Sequence, residues 1–190
     1  MESDRFYFKL LLIALLGVCS CQTWAGDSIG GDFSLTDQDG RSFQLNQLGG
    51  KVVLLFFGYT FCPDICPTEL ASLAAVLNAL EDDTEQVQAV FVTVDPERDT
   101  PEVLKSYVSY FNKNLIGLTG SSDQIAQVTN RYRVKFHKHS RPGGAYSIDH
   151  SANLYVINRA GQLAMVVPYG LPPEHVLSVV RHLLIDDPGS

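Results

Sequence analysis

The stretch Lys51-Val52-Val53-Leu54-Leu55-Phe56-Phe57-Gly58-Tyr59-Thr60-Phe61-Cys62-Pro63-Asp64-Ile65-Cys66-Pro67 holds the decisive signal. Its first half is nearly all apolar and rich in β-branched and aromatic residues, the composition of a central strand buried on both faces. Leu70, Leu73, Ala74, Leu77 and Leu80 then recur at helical spacing, so the two cysteines stand where a central strand passes into a helix. If both lie on a helical turn, their Cα atoms are about 6 Å apart, within reach of a disulfide. The unpaired amides of a helix N-terminus favour thiolates there and lower both thiol pKa values.

Working outward, Phe33 to Thr36 and Ser42 to Leu45 flank a turn at Asp37 to Gly40 and predict an N-terminal hairpin. Downstream, Val87 to Val94 reads as a second buried strand. Thr100-Pro101-Glu102 opens a helix with a capping residue and a proline at its first position. The buried stripe of that helix is Val103, Leu104, Tyr107, Val108 and Phe111. A short strand over Leu115 to Leu118 and a helix from about Asp123 to Tyr132 follow. Phe136 to Ala145, polar and containing glycine and histidine, reads as a loop. A closing hairpin (Asn153 to Asn158, Gln162 to Val167) leads to a last helix after Pro172-Pro173, with Val176, Leu177, Val180, Leu183 and Leu184 inward. Parallel crossovers first, then a hairpin and a terminal helix, make an α/β, thioredoxin-like fold of the peroxiredoxin-like variant. It carries an N-terminal hairpin and a loop insertion before the closing hairpin.

The chain has 190 residues, 45% of them hydrophobic, which suits one compact domain. Its net charge of -7 argues against a nucleic-acid partner, which requires a basic face. Residues 1–25 read as a leader and 26–190 as the domain: Arg5 and Lys9 precede an apolar run from Leu10 to Val18, in the order of an export signal. Val18-Cys19-Ser20-Cys21 resembles a lipobox with Cys21 acylated; cleavage after Thr23-Trp24-Ala25 and an uncleaved anchor are the alternatives. The lipid anchor is the preferred reading, and export places the domain in a bacterial cell envelope, on the periplasmic side of the inner membrane.

With Cys19 and Cys21 in the leader, Cys62 and Cys66 remain for the domain. In an oxidising compartment such a pair is a structural disulfide, a redox couple or a metal clamp. A bridge over three residues closes a small loop and removes little unfolded-state entropy, which disfavours the first. A thiolate pair is soft and suits Cu(I) or Zn(II). His150, in Ile148-Asp149-His150-Ser151, precedes the strand from Asn153, where a thioredoxin-like fold packs against the cysteine helix. Two thiolates and one imidazole without a fourth donor suit trigonal Cu(I) better than structural zinc. Asp64 and Asp149 are candidates to orient His150 or receive a ligand proton. His137 and His139 could face the same way on an extended segment and bind metal, but in a loop with Lys138 and Arg141 they read as a solvated face; His175 and His182 read as surface residues, and Asp95 and Asp99 as a turn network and helix cap.

Four motifs then converge: Phe57 through Pro67; Val94-Asp95-Pro96-Glu97-Arg98-Asp99-Thr100-Pro101; Gly117-Leu118-Thr119-Gly120; and Asp149-His150-Ser151-Ala152. In this order they resemble the Sco/SenC family of copper chaperones for cytochrome c oxidase, over about Asp32 to Leu184. The resemblance implies that Cys62, Cys66 and His150 ligate copper, as Cu(I) or Cu(II). It also implies attachment to the membrane through the N-terminus. It further implies delivery of copper, or of reducing equivalents, to the binuclear copper site of cytochrome c oxidase subunit II. The sequence does not identify the upstream copper donor.

Competing readings keep the fold and change the chemistry. A thiol-disulfide reductase typically has two residues between its cysteines and a proline opposite them, where this chain has three residues and His150-Ser151. A peroxiredoxin requires a threonine three residues before its reactive cysteine, the position Pro63 holds relative to Cys66. A copper or redox sensor that passes nothing on is compatible with the same residues.

Overall fold

The computed structural model describes residues 29–185, so the leader readings lie outside the described residues. Among the described residues there are nine strands and four α-helices, β1–β9 and α1–α4 in chain order. The central strand is β3 (Val52–Gly58), all seven residues buried. It runs parallel to β4 (Val87–Thr93) and antiparallel to β8 (Leu154–Ile157). Strand β5 (Ile116–Thr119) extends the parallel side, followed by the N-terminal hairpin of β1 (Ser34–Asp37) and β2 (Ser42–Gln44). Strand β9 (Leu163–Val167) closes the other edge, giving the order β2-β1-β5-β4-β3-β8-β9. The fold is thioredoxin-like, as expected.

Helices α1 (Ile65–Ala79) and α4 (Pro173–Ile185) pack on each other, and α2 (Pro101–Phe111) packs on β5. Thr100 caps α2 by accepting from the Val103 amide at 3.4 Å. Helix α3 (Ser122–Arg131) begins with a reciprocal box: the Ser121 hydroxyl accepts from the Gln124 amide, and Gln124 Oε1 accepts from the Ser121 amide. Val103 departs from its expected place. It is exposed, because α2 buries only the narrow stripe of Leu104 and Val108 against β5.

The expected loop insertion is a second, two-stranded sheet. Strand β6 (Phe136–Ser140) pairs antiparallel with β7 (Tyr146–His150), and every residue of β6 is exposed. Backbone pairing, not burial, makes this hairpin. Among the described residues no helix is long and apolar enough to cross a membrane.

One charged residue sits in the buried stripe of α1. Glu69 is 8% exposed, and burial pushes its carboxyl up to about 7 from an ordinary 4.5. Below about pH 4.5 folded and unfolded chains both hold the proton. As pH rises toward 7 the unfolded chain ionises first, so stability falls, by on the order of 3 kcal/mol above pH 7. Glu69→Gln is therefore expected to flatten the decline between pH 5 and 8 and to exceed the wild type in stability at pH 8. Urea unfolding at the two pH values checks this; equal declines in both chains would contradict it.

Candidate metal centre

The sheet hands the site its first component at Gly58, the last residue of β3. The chain then turns through Tyr59 to Asp64 before α1 begins at Ile65. Cys66 lies in the first turn of α1 and is fully buried; Cys62 lies in the preceding turn, half-buried. The two cysteines thus do not share a helical turn. Pro63 separates them, and the Cys62 sulfur folds back over the helix start to accept from the Cys66 amide at 3.4 Å.

Asp99 braces this turn. Its buried carboxylate accepts from the Thr60 amide at 3.0 Å, the Thr60 hydroxyl at 2.6 Å and the Thr93 hydroxyl at 2.6 Å. Asp99 is therefore a strut between the end of β4 and the cysteine turn, not a helix cap, which is Thr100. Asp95 fits its expected turn network: it accepts from the Arg98 Nε and, at 2.7 Å, from the Tyr146 hydroxyl.

The second component is the β6–β7 hairpin, which carries His150 at its end. Arg98 clamps it to the cysteine turn. Its guanidinium lies 3.7 Å from the Tyr146 ring centroid and 4.6 Å from that of Phe61, and donates to the Tyr146 carbonyl at 3.3 Å. The Tyr59 hydroxyl also accepts from the Ile148 amide at 3.3 Å. These contacts bring His150 Nε2 to 3.4 Å from Cys66 Sγ. Cys62 Sγ, Cys66 Sγ and a His150 ring nitrogen all lie within 4.8 Å of one another. Gly58, Tyr59 and Arg98 stand inside two of the four sequence motifs without an assigned role, and Tyr146 stands in none of them.

Charge is divided unevenly over the three donors. The Cys66 thiol, as hydrogen-bond donor, holds Cys62 well below the ordinary thiol range against the opposing effect of burial. Contacts from His150 and from the Cys66 and Asp64 amides add to this. The contact with Cys62, together with burial, pushes the Cys66 thiol up. Only one of the two thiols is lowered, where the helix N-terminus alone suggested both. His150 Nδ1 donates to the Ser151 carbonyl at 3.0 Å, which turns Nε2 toward Cys66.

Asp64 and Asp149 both line the cleft beside Cys62 and His150, but His150 Nδ1 donates to neither. Asp149 points away from His150, because neighbours on a strand face opposite sides; its Oδ2 accepts from His139 Nε2 at 2.8 Å. The His150 orienter is instead the Ser151 carbonyl. Asp64 is exposed and makes no side-chain cap; its contribution to Cys62 comes through its amide. His137, His139, His175 and His182 are exposed.

The donor set fits a soft metal ion. Bonds of about 2.0 to 2.3 Å around a trigonal centre space the donors roughly 3.5 to 4 Å apart, the scale of this triad. Two sulfurs and one imidazole, the donors that the described residues bring together here, suit a low-coordinate ion such as Cu(I). The family model for SCO1/SenC matches residues 22–185. The chain belongs to this family. Protein SCO2 of yeast mitochondria is 44% identical over 138 residues, 71% of this chain and 46% of that protein. The SCO2-like protein of Rickettsia felis is 41% identical over 158 residues, 80% of this chain and 76% of the relative. This SCO1/SenC chain thus spans about half the length of the yeast protein. Among solved structures, Bradyrhizobium japonicum ScoI with copper bound is 42% identical. It matches with a TM-score of 0.77, over 82% of this chain and 99% of that one.

Proposed function

We infer that the protein is a copper metallochaperone that carries copper as cargo on Cys62, Cys66 and His150. On this reading it delivers the metal to the binuclear copper site of cytochrome c oxidase subunit II. One observation carries the reading: two sulfurs and an imidazole nitrogen within 4.8 Å of one another, in a chain similar to a Sco protein solved with copper. The N-terminal leader holds the domain at a bacterial envelope membrane, on its periplasmic side, by a lipid on Cys21 or by an uncleaved helix.

The geometry suggests an order of release. Cys62 lines the open cleft with Tyr59, Pro63, Ile65 and His150, whereas Cys66 is sealed beneath it. A partner thiolate or imidazole entering the cleft meets the Cys62 bond first. Ligand exchange then proceeds inward, with the Cys66 bond broken last. A second reading, thiol-disulfide reductase for the oxidase cysteines, is favoured by the split thiols, since a depressed Cys62 is a ready nucleophile.

Mixing the copper-loaded reduced chain with an isolated, reduced subunit II copper domain separates the two. A chaperone transfers copper to that domain and reduces insulin negligibly. Fast disulfide turnover without transfer would leave only the reductase.

A further inference from the structure

The β6–β7 hairpin presents a second set of metal-binding side chains on the face opposite His150. Its register sets His137 across from Asp149 and His139 across from Ser147, so His137, His139 and Asp149 share one face. Phe136 and His150, also across from each other, take the other face. All three residues of the outer set are exposed. The His137 and His139 rings stand 4.6 Å apart between centroids, and His139 Nε2 lies 2.8 Å from Asp149 Oδ2. Two adjacent donors on a square-planar or octahedral ion, with bonds of about 2.0 Å, are separated by about this distance.

We propose that His137, His139 and Asp149 form a second metal site, for a divalent first-row ion, with Cu(II) held most tightly. Two imidazoles and a carboxylate are nitrogen and oxygen donors, suited to Cu(II), Ni(II) and Zn(II) and poorly suited to Cu(I). In the rotamers of the structure, His139 and Asp149 already have the required bite. Among the described residues only Cys62, Cys66 and His150 bring three donor atoms within 4.8 Å, so His137 turns about its side-chain torsions to complete the outer set. Being exposed, it does so without displacing packed atoms. Of the nearby cations, Lys138 is on the other face, paired with Glu97 at 2.7 Å, while Arg141 is held on the outer face, donating at 3.3 Å to Ser147 Oγ across from His139. Asp149 also lines the cleft that holds Cys62 and His150. The proposal does not depend on the copper-cargo reading.

Cu(II) alone is the probe, titrated into the full-length chain carrying Cys19→Ser, Cys21→Ser, Cys62→Ser, Cys66→Ser and His150→Ala. One equivalent is expected to bind, with nitrogen hyperfine structure in its electron paramagnetic resonance spectrum. Adding His137→Ala or His139→Ala weakens binding about ten-fold or more, while His175→Ala, exposed on α4, leaves it unchanged. Should Cys66→Ser unfold that chain, Ni(II) is counted in the otherwise unaltered protein. There His137→Ala with His139→Ala lowers the number of bound ions by one. Failure to bind an equivalent of Cu(II) in the folded chain overturns the site, as does binding that the two histidine changes leave intact.

Discussion

Reduced protein carrying Cys62→Ala or Cys66→Ala is expected to lose its Cu(I) on a desalting column, whereas the wild type keeps one equivalent. Either change leaves a single thiolate beside His150, and Cu(I) depends on soft sulfur donors for its hold. His150→Ala leaves both sulfurs, able to bind the ion in two-coordinate fashion, so it retains metal more weakly than the wild type but more tightly than either cysteine variant. The expected weakening is about a hundred-fold or more for a lost thiolate and about ten-fold for the lost imidazole. Loading displaces chiefly the Cys66 proton, since Cys62 is already held in its thiolate form. Affinity therefore rises with pH. Oxidation to the Cys62–Cys66 disulfide removes two electrons and the one thiol proton, that on Cys66, and with them both sulfur ligands. Oxidised wild type should then behave like the cysteine variants until reductant is added. Copper content by atomic absorption, before and after dithiothreitol, reads all of this. Equal retention by wild type and the three variants would remove the triad from consideration.

The parts of the site that were readable from sequence are those set by burial. β3 is an unbroken apolar run because both its faces are buried, and α1 announces itself by leucines at helical spacing; together they located Cys62 and Cys66. The β6–β7 hairpin gave no such signal. With all of Phe136 to Ser140 exposed, no alternation of apolar and polar residues exists to betray a strand, and pairing with β7 is visible only in three dimensions. Asp149 was misplaced for a related reason. Adjacency in the chain suggested a partner for His150, but the strand sends the two side chains to opposite faces, one to Cys66 and the other to His139. Arg98 and Asp99 carry charges whose partners, Tyr146 and Thr60, lie 48 and 39 positions away. No spacing rule reaches that far.

Gly58→Ala is expected to damage the site more than any other single change that spares the three ligands. An added Cβ would stand 2.6 Å from Cys66 Sγ, 2.8 Å from Phe91 Cε2 and 3.2 Å from Phe56 Cε1. All of these neighbours are fully buried, so no flexible, solvent-facing end is available to swing aside. Relief must come from moving the Cys66 side chain or the start of α1, and either displaces the sulfur that links the triad. Overpacking of this kind costs about 1–3 kcal/mol in stability. A displacement approaching 1 Å is large against a metal–sulfur bond of about 2.3 Å, so copper affinity should fall about ten-fold or more even where the chain stays folded. Val87→Ala supplies the control. It removes buried methyls at the far end of β4, where Val87 pairs with Val52, and should cost comparable stability with no change in affinity. Urea unfolding sets the two variants on one stability scale, and Cu(I) competition with a chromophoric chelator at a urea-free temperature reads the metal. If both variants lost copper in proportion to their stability, the damage would be global and Gly58 would have no special place beneath Cys66. Loss confined to Gly58→Ala would show that the strand end itself sets where the sulfur sits.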